Sequence, residues 1–164
     1  MSDFEKPLVV IGEAIPRTRS GSQVHAQHLL HRAVHILIFD QAGRVFLRQR
    51  AGDKELSPGR WSSSVGQHVF AGQSPEPAAT EALKDFLGLD VKLEFLGEEH
   101  IEDETENELV TFYVGQGDTI PRINTVHSAG GSWLSVDDIQ RMPDAKTTPH
   151  GRAAIRLFVH HART

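Results

Sequence analysis

The sequence predicts an α/β domain of 164 residues, and three of its segments carry the prediction. Ala33 to Asp40 is a near-continuous apolar run, which is typical of a central strand. Pro75 to Leu87 carries apolar side chains at helical spacing, and a last helix is predicted from Pro149 or Gly151 to His161. Shorter strand-like segments lie between these helices, so strands and helices alternate along the chain.

The helix predicted at Pro75 to Leu87 has sequence signals at both ends. Ser74 suits the N-cap position, and Gly88 is expected to end the helix. Its apolar stripe, expected to pack on a core, consists of Ala79, Leu83, Phe86 and Leu87. On another side of the helix Glu81 and Asp85 lie four residues apart and face each other. That pair is compatible with a weak metal site or with two solvated surface acids.

Further strands are predicted around these elements. Residues 1–24 hold a first strand within Pro7 to Ile15 and then a polar loop. Val45 to Arg50 is predicted to form a hairpin with the central strand. Arg48 shares one face of this strand with Phe46 and Arg50 and is expected to be solvated. The remaining predicted strands are Trp61 to Val69, Asp90 to His100, Leu109 to Val114 and Ser132 to Leu134.

Two polar clusters interrupt this pattern. His25, His28 and His31 follow one another at intervals of three, just before the central strand. The spacing is compatible with a surface turn or short helix, and equally with a metal or phosphate role. The acidic run that contains Glu106 and Glu108 is typical of a solvated turn, but on a strand both side chains would point to the same face.

The composition excludes several classes of function. Acidic residues outnumber basic ones by 22 to 17, so no large nucleic-acid-binding face is expected. There is no cysteine, which excludes disulfides, thiolate metal sites and a cysteine nucleophile. We find neither a signal-like N-terminus nor an apolar run long enough to span a membrane, so a cytoplasmic protein without a membrane partner is expected.

The segment from Gly66 to Leu89 resembles the Nudix box, a loop–helix–loop that carries metal-binding glutamates. The resemblance implies a mixed β-sheet flanked by helices, an α-β-α sandwich, as a single domain over residues 1–164. The box is degenerate, since Ala82, Asp85 and Phe86 stand where the family has metal-binding glutamates. Only Asp85 is still an oxygen ligand, and Glu81 is the acid that would help to rebuild a site beside it.

One branch of this superfamily is more similar still, namely isopentenyl-diphosphate isomerase and its hydrolase relatives. The frames that carry this resemblance are Gly-Arg-Val-Phe-Leu-Arg-Gln-Arg, Pro-Gly-Arg-Trp and Ser-Val-Gly-Gln-His. It implies metal ligands at His31 and His68, with His25 or His28 as a third histidine. It also implies metal-binding and acid–base roles for Glu106 and Glu108, and a diphosphate held by Arg50 and Lys54.

Three functions follow from these resemblances. The first is hydrolysis of a diphosphate linkage in a nucleoside-diphosphate or isoprenoid-diphosphate compound, with Mg²⁺ or Mn²⁺ as cofactor. The second is a catalytically weak or inactive module that binds a nucleotide, a diphosphate or a protein. The third, isomerase chemistry, is disfavoured because Gly66 replaces the catalytic cysteine. The sequence leaves the identity of the substrate and the oligomeric state open, a homodimer included.

Overall fold

The computed structural model describes residues 3, 5–13, 17–50, 59–123 and 128–163. Its secondary structure alternates as the sequence predicts. The strands are β1 (Pro7–Val9), β2 (Thr18–Ser20), β3 (His31–Phe39), β4 (Val45–Arg50), β5 (Trp61–Ser62), β6 (Val65–His68), β7 (Glu94–Glu102), β8 (Asn107–Gln116) and β9 (Ser128–Leu134). The helices are α1 (Gly21–Ala26), α2 (Pro75–Leu87), α3 (Val136–Gln140) and α4 (Pro149–Ala162), with a 3-10 turn at Asp144–Lys146.

A mixed seven-stranded sheet forms the centre of the molecule. The strand order β5–β4–β3–β8–β7 runs through it, while β6 pairs with β3 and β9 pairs with β4. The central pair, β3 and β8, is parallel, and its register places His31 directly beside Glu108. Every other strand pair of this sheet is antiparallel. The backbone pairing therefore brings together two residues that are far apart in sequence.

Helices cover both faces of the sheet, which confirms the predicted sandwich. On one face α2 packs its buried alanines and leucines against β3 residues such as Val34 and Ile36. On the other face α4 packs Ala154 and Ile155 against a second cluster that includes Leu37 and Val110. Burial of apolar surface on both sides of one sheet provides the main stabilisation of such a fold.

The helix of the degenerate box lies where the sequence predicts it. Helix α2 spans Pro75–Leu87, and Gly88 ends it in the left-handed conformation, with φ of 67°. Ser74 occupies the N-cap position, although its side chain makes no capping hydrogen bond. Ala79, Leu83 and Leu87 are buried in the core, and Phe86 packs against the same cluster while partly buried.

Several regions differ from the prediction. The strand predicted at Trp61 to Val69 is divided into β5 and β6, and the strand predicted at Asp90 to His100 spans Glu94–Glu102. The polar loop predicted after the first strand contains strand β2, which pairs with β1, and the start of α1. Strand β9 begins at Ser128 rather than Ser132, because pairing with β4 extends it through two glycines of low strand propensity. Arg48 was expected in solvent, and this is wrong: its side chain is only 6% exposed.

Of the helices that the structure describes, none combines the length and the apolar character needed to cross a bilayer.

Candidate metal centre

Three imidazoles meet at one end of the central strands. His25 lies near the end of α1, a helix whose N-terminus is fixed by a capping box between Ser20 and Gln23. His31 begins β3 and His68 ends β6. Their ring centroids are 5.0 to 5.3 Å apart, and the Nε2 atoms of His25 and His68 are 3.2 Å apart. The third histidine of the cluster is therefore His25.

Two carboxylates from β8 and the turn before it complete the cluster. Glu108 Oε2 lies 3.2 Å from His31 Nε2 and 3.8 Å from His68 Nε2. Glu106 Oε2 lies 3.7 Å from His25 Nδ1. Both carboxylates are withdrawn from solvent, and Glu108 is only 4% exposed. The solvated-turn interpretation of this acidic run is therefore wrong for these two residues, because β8 starts at Asn107 and aims Glu108 inward.

The histidines differ in how readily they take a proton. Burial lowers the pKa of His68 to about 4, so this ring is neutral at physiological pH. Burial, followed by the neighbouring His31, also lowers the pKa of His25. Burial opposes the charged form of His31 as well, but the hydrogen bond and negative charge of Glu108 outweigh it and raise the pKa of His31. The carboxylate thus attracts a positive charge to this position.

The two glutamates are pushed to opposite protonation states. Burial and the adjacent charge of Glu108 raise the pKa of Glu106. Burial acts in the same direction on Glu108, but hydrogen bonds from His150 and His31 outweigh it and hold the pKa of Glu108 well below its usual range. Glu108 is the ionised member of the pair, and Glu106 retains a proton because two close negative charges repel each other.

The donor set fits a divalent cation. His31 Nδ1 lies 2.9 Å from the Leu29 carbonyl oxygen, which can only accept, so in the neutral ring Nε2 keeps its lone pair. That Nε2 atom is buried 3.2 Å from Glu108 Oε2, and Glu106 Oε2 is buried 3.7 Å from His25 Nδ1. Ligand atoms within 4.8 Å of one another occur in two overlapping sets, His25–His31–His68 and His31–Glu106–Glu108. Imidazole nitrogens and carboxylate oxygens together suit a borderline or hard divalent ion.

The other predicted site residues lie elsewhere or are not described. Glu81 and Asp85 are exposed on α2 and belong to neither ligand set, and Glu81 accepts a hydrogen bond from Gln73. His28 lies outside the cluster and contacts Glu102. Arg50 is close enough for Glu106 and Glu108 to act on its pKa, which burial lowers and these two charges raise. Lys54 lies outside the described residues.

The structure adds a buried pair of histidines that the sequence did not reveal. His150, in the first turn of α4, donates from Nε2 to Glu108 Oε1 at 2.7 Å. Its ring stacks on His35 from β3, with centroids 4.6 Å apart. His35 Nδ1 in turn lies 2.5 Å from Ser63 Oγ. His35 interrupts an apolar strand, and this was the one signal in the sequence that pointed to a buried polar contact.

His35 also explains why residue 66 is glycine. Gly66 is the direct cross-strand partner of His35. A Cβ atom on residue 66 would lie 2.5 Å from His35 Cε1 and 2.9 Å from His35 Nε2. These separations are shorter than van der Waals contact, so the imidazole occupies the space that a side chain at position 66 needs.

The chain shares sequence and fold with known proteins. The NUDIX domain matches residues 29–158. The chain is 35% identical over 135 residues to the isopentenyl-diphosphate Delta-isomerase of Serratia proteamaculans, covering 79% of this chain and 74% of that protein. The MutT protein of Methanosarcina mazei superposes with a TM-score of 0.71 at 16% identity, over 82% of this chain and 96% of that one. A MutT NUDIX hydrolase from Burkholderia pseudomallei gives 0.67 at 20% identity, over 78% and 97%.

Proposed function

This chain belongs to the NUDIX domain family, and from that premise we propose that it is a metal-dependent hydrolase of a diphosphate linkage. The observation that carries the proposal is the cluster of His25, His31, His68, Glu106 and Glu108, in which His31 and Glu108 are buried and the other three are half-buried. Buried imidazoles and carboxylates without full hydrogen bonding are costly, so a site of this kind is retained for what it binds.

The cluster would hold Mg²⁺ or Mn²⁺. When bound, such an ion polarises phosphoryl oxygens and lowers the pKa of water. His31, His68 and Glu108 are the ligands that we propose first, because His31 and His68 both face the same oxygen of Glu108. His150 orients the Glu108 carboxylate by donating a hydrogen bond to Oε1, the oxygen that faces neither His31 nor His68.

Glu106 is the residue that we propose as general base. Its raised pKa means that it holds a proton when the cluster carries no cation. Beside a positive ion a carboxylate ionises more readily, so Glu106 becomes able to accept a proton from water. Arg50 is placed to offset phosphate charge near both glutamates. Lys54 is still predicted to bind the same diphosphate as Arg50.

A second candidate function is suggested by the relatives named isopentenyl-diphosphate isomerase. The contact between Gly66 and His35 argues against it, because position 66 offers no acid–base side chain and no room for one. A non-catalytic binding module is the third candidate. It is favoured by the apolar residues Ala82 and Phe86 on the box helix and disfavoured by the intact cluster.

The test is a screen of the purified full chain against nucleoside-diphosphate and isoprenoid-diphosphate compounds. Each compound is incubated with Mg²⁺, with Mn²⁺ or with a chelator, and phosphorus NMR follows the products. We expect metal-dependent cleavage that falls by about 100-fold or more in Glu106→Gln, because a general base contributes at least that factor. Glu104→Gln is the matched control, since Glu104 lies in the same acidic turn but is exposed.

The three functions give different outcomes in this screen. Cleavage products with an active Glu104→Gln variant support the hydrolase. Migration of the double bond in an isoprenoid diphosphate, without release of phosphate, would identify an isomerase. Saturable binding of a diphosphate without turnover under any metal condition would establish the binding module and reject the hydrolase.

A further inference from the structure

Strand β4 carries a buried arginine that the proposed chemistry does not use. Arg48 is 6% exposed, although its guanidinium is charged at any physiological pH. Burial and the nearby charge of Arg50 lower the pKa of Arg48 only to about 10. Its register partners are Ser62 on β5 and Gly131 on β9, neither of which is an acid.

Among the described residues, no acid offsets the charge of Arg48, although burial normally requires such an offset. Arg48 Nε makes no hydrogen bond within the part of the chain that the structure describes. Within the described part of the chain no carboxylate forms an ion pair with Arg48, and its charged neighbour Arg50 is also positive. Burial of an unpaired charge lowers the free energy of unfolding. A bound anion would offset this cost by pairing with the guanidinium.

The position of Arg48 connects it to the candidate metal centre. Strand β4 pairs with β3 only through Val45 and Phe46, and from Arg48 onward it pairs with β5 instead. The chain then crosses back through residues 63 and 64 to β6, which pairs with β3. Arg48 therefore lies where the sheet divides.

His35 lies on the β3 side of the same division. Its pKa is well below the usual value because of burial, then the charge of His150, with smaller effects from Glu108, Arg48 and Arg50. Arg48 is thus near the His35–His150 pair, and His150 binds Glu108. Arg48 and Arg50 alternate along β4 and therefore share one face of that strand.

We propose that Arg48 binds an oxyanion of the substrate, either a phosphate or a carboxylate group, at a subsite separate from Arg50. This inference rests on the proposed function, because it assigns a further anionic group to the ligand of the same site. A guanidinium held in a buried, fixed position is well suited to bidentate recognition of such a group. The substrate would then carry an anionic group in addition to the diphosphate that Arg50 is proposed to contact.

The experiment measures anion binding and turnover separately. The full chain, freed of metal with a chelator, is titrated with inorganic phosphate and in a parallel arm with acetate. The Nε–H signal of Arg48 in ¹⁵N NMR is followed. We expect phosphate, acetate or both to shift this signal, with the tighter ligand identifying the class of anion. Arg48→Gln should weaken that binding by about tenfold or more, the effect of losing a hydrogen bond to a charged group.

Thermal unfolding separates a binding role from a structural one. If Arg48 is kept for binding, Arg48→Met should raise the Tm of the ligand-free protein, because it removes an unpaired buried charge. A lower Tm for Arg48→Met together with an unchanged Kd in Arg48→Gln would overturn the proposal. Arg141→Gln is the control, since Arg141 is exposed and should alter neither quantity.

The design keeps this inference distinct from the hydrolase proposal. Should Arg48→Met fail to fold, Arg48→Lys and the NMR signal of the parent chain still decide whether an anion binds there. Anion binding through Arg48 in a protein that cleaves no diphosphate would reject only the hydrolase. Cleavage by a protein whose Arg48 signal responds to neither anion would reject only the subsite.

Discussion

The box helix and the His–Glu cluster differ in the kind of side chain found at positions that resemble ligand sites of the family. On α2, two positions that resemble ligand sites of the family hold Ala82 and Phe86, which pack against the core. At the ends of β3, β6 and β8, by contrast, polar side chains are buried together at an evident energetic cost. A motif that has lost its acids on one element can therefore stand beside a polar cluster that persists on others.

The largest expected effect is loss of the cluster through Glu108→Gln. Calorimetry with Mn²⁺ should show affinity reduced by more than about 100-fold, which is the upper end of the cost of losing even an outer partner of a ligand. Glu108 is the residue that His31, His68 and His150 all face. Equal affinity in Glu108→Gln and in the exposed control Glu104→Gln would place the metal elsewhere.

The next prediction concerns Gly66, which begins the box segment and lies in β6, the strand that also carries His68. Gly66→Ala should destabilise the protein by about 1–3 kcal/mol, because the new Cβ meets the His35 ring at 2.5 Å. Combined with His35→Ala, the same substitution should cost less than it does alone, and urea unfolding of all four proteins gives the coupling energy. Strict additivity would show that His35 does not restrict position 66.

The box helix is tested by restoring two acids, Ala82→Glu and Phe86→Glu. Because Ala82 is buried, the double variant should be less stable than the parent without metal, by about 1–3 kcal/mol after partial solvation of the new acids. We expect Mg²⁺ to restore part of this stability and to raise turnover, since the carboxylates offer the oxygen ligands that it prefers. The matched variant Ala82→Gln with Phe86→Gln should gain neither effect, and Mg²⁺-independent stability of the acidic variant would refute the account.

The smallest expected effect concerns the pH dependence of folding through His35. Its pKa is depressed in the folded state, so the unfolded chain binds more protons below the ordinary value of about 6.5. The stability that the neutral ring contributes is therefore present above that pH and is lost as the pH falls. His35→Gln should flatten the fall in stability by at most about 1.4 kcal/mol per pH unit. The exposed His160→Gln control should keep the slope of the parent.

The sequence predicted regular elements better than it predicted which polar groups are buried. The bounds of α2 were correct because Pro75 and Gly88 act locally on the backbone. Strand β2 and the first half of β9 were missed, since only pairing with another strand, β1 or β4, makes those residues extended.

The candidate site also contains residues that the sequence indicated and residues that only packing reveals. His31, His68, Glu106 and Glu108 were indicated by resemblance, and the structure brings them together. The roles of His150 and Arg48 depend on how α4 and β4 pack, which no local pattern encodes. Arg48 in particular was expected in solvent because alternation along a strand does not show whether a face is covered.

The parallel pairing of β3 with β8 has a consequence for the order of folding. His31 and Glu108 are adjacent only after a long intervening chain has closed, and parallel strands of high sequence separation pair slowly. Before that event the chain presents scattered histidines and glutamates rather than a chelating pocket. A divalent ion is therefore expected to act late, slowing unfolding of the completed sheet rather than speeding its assembly.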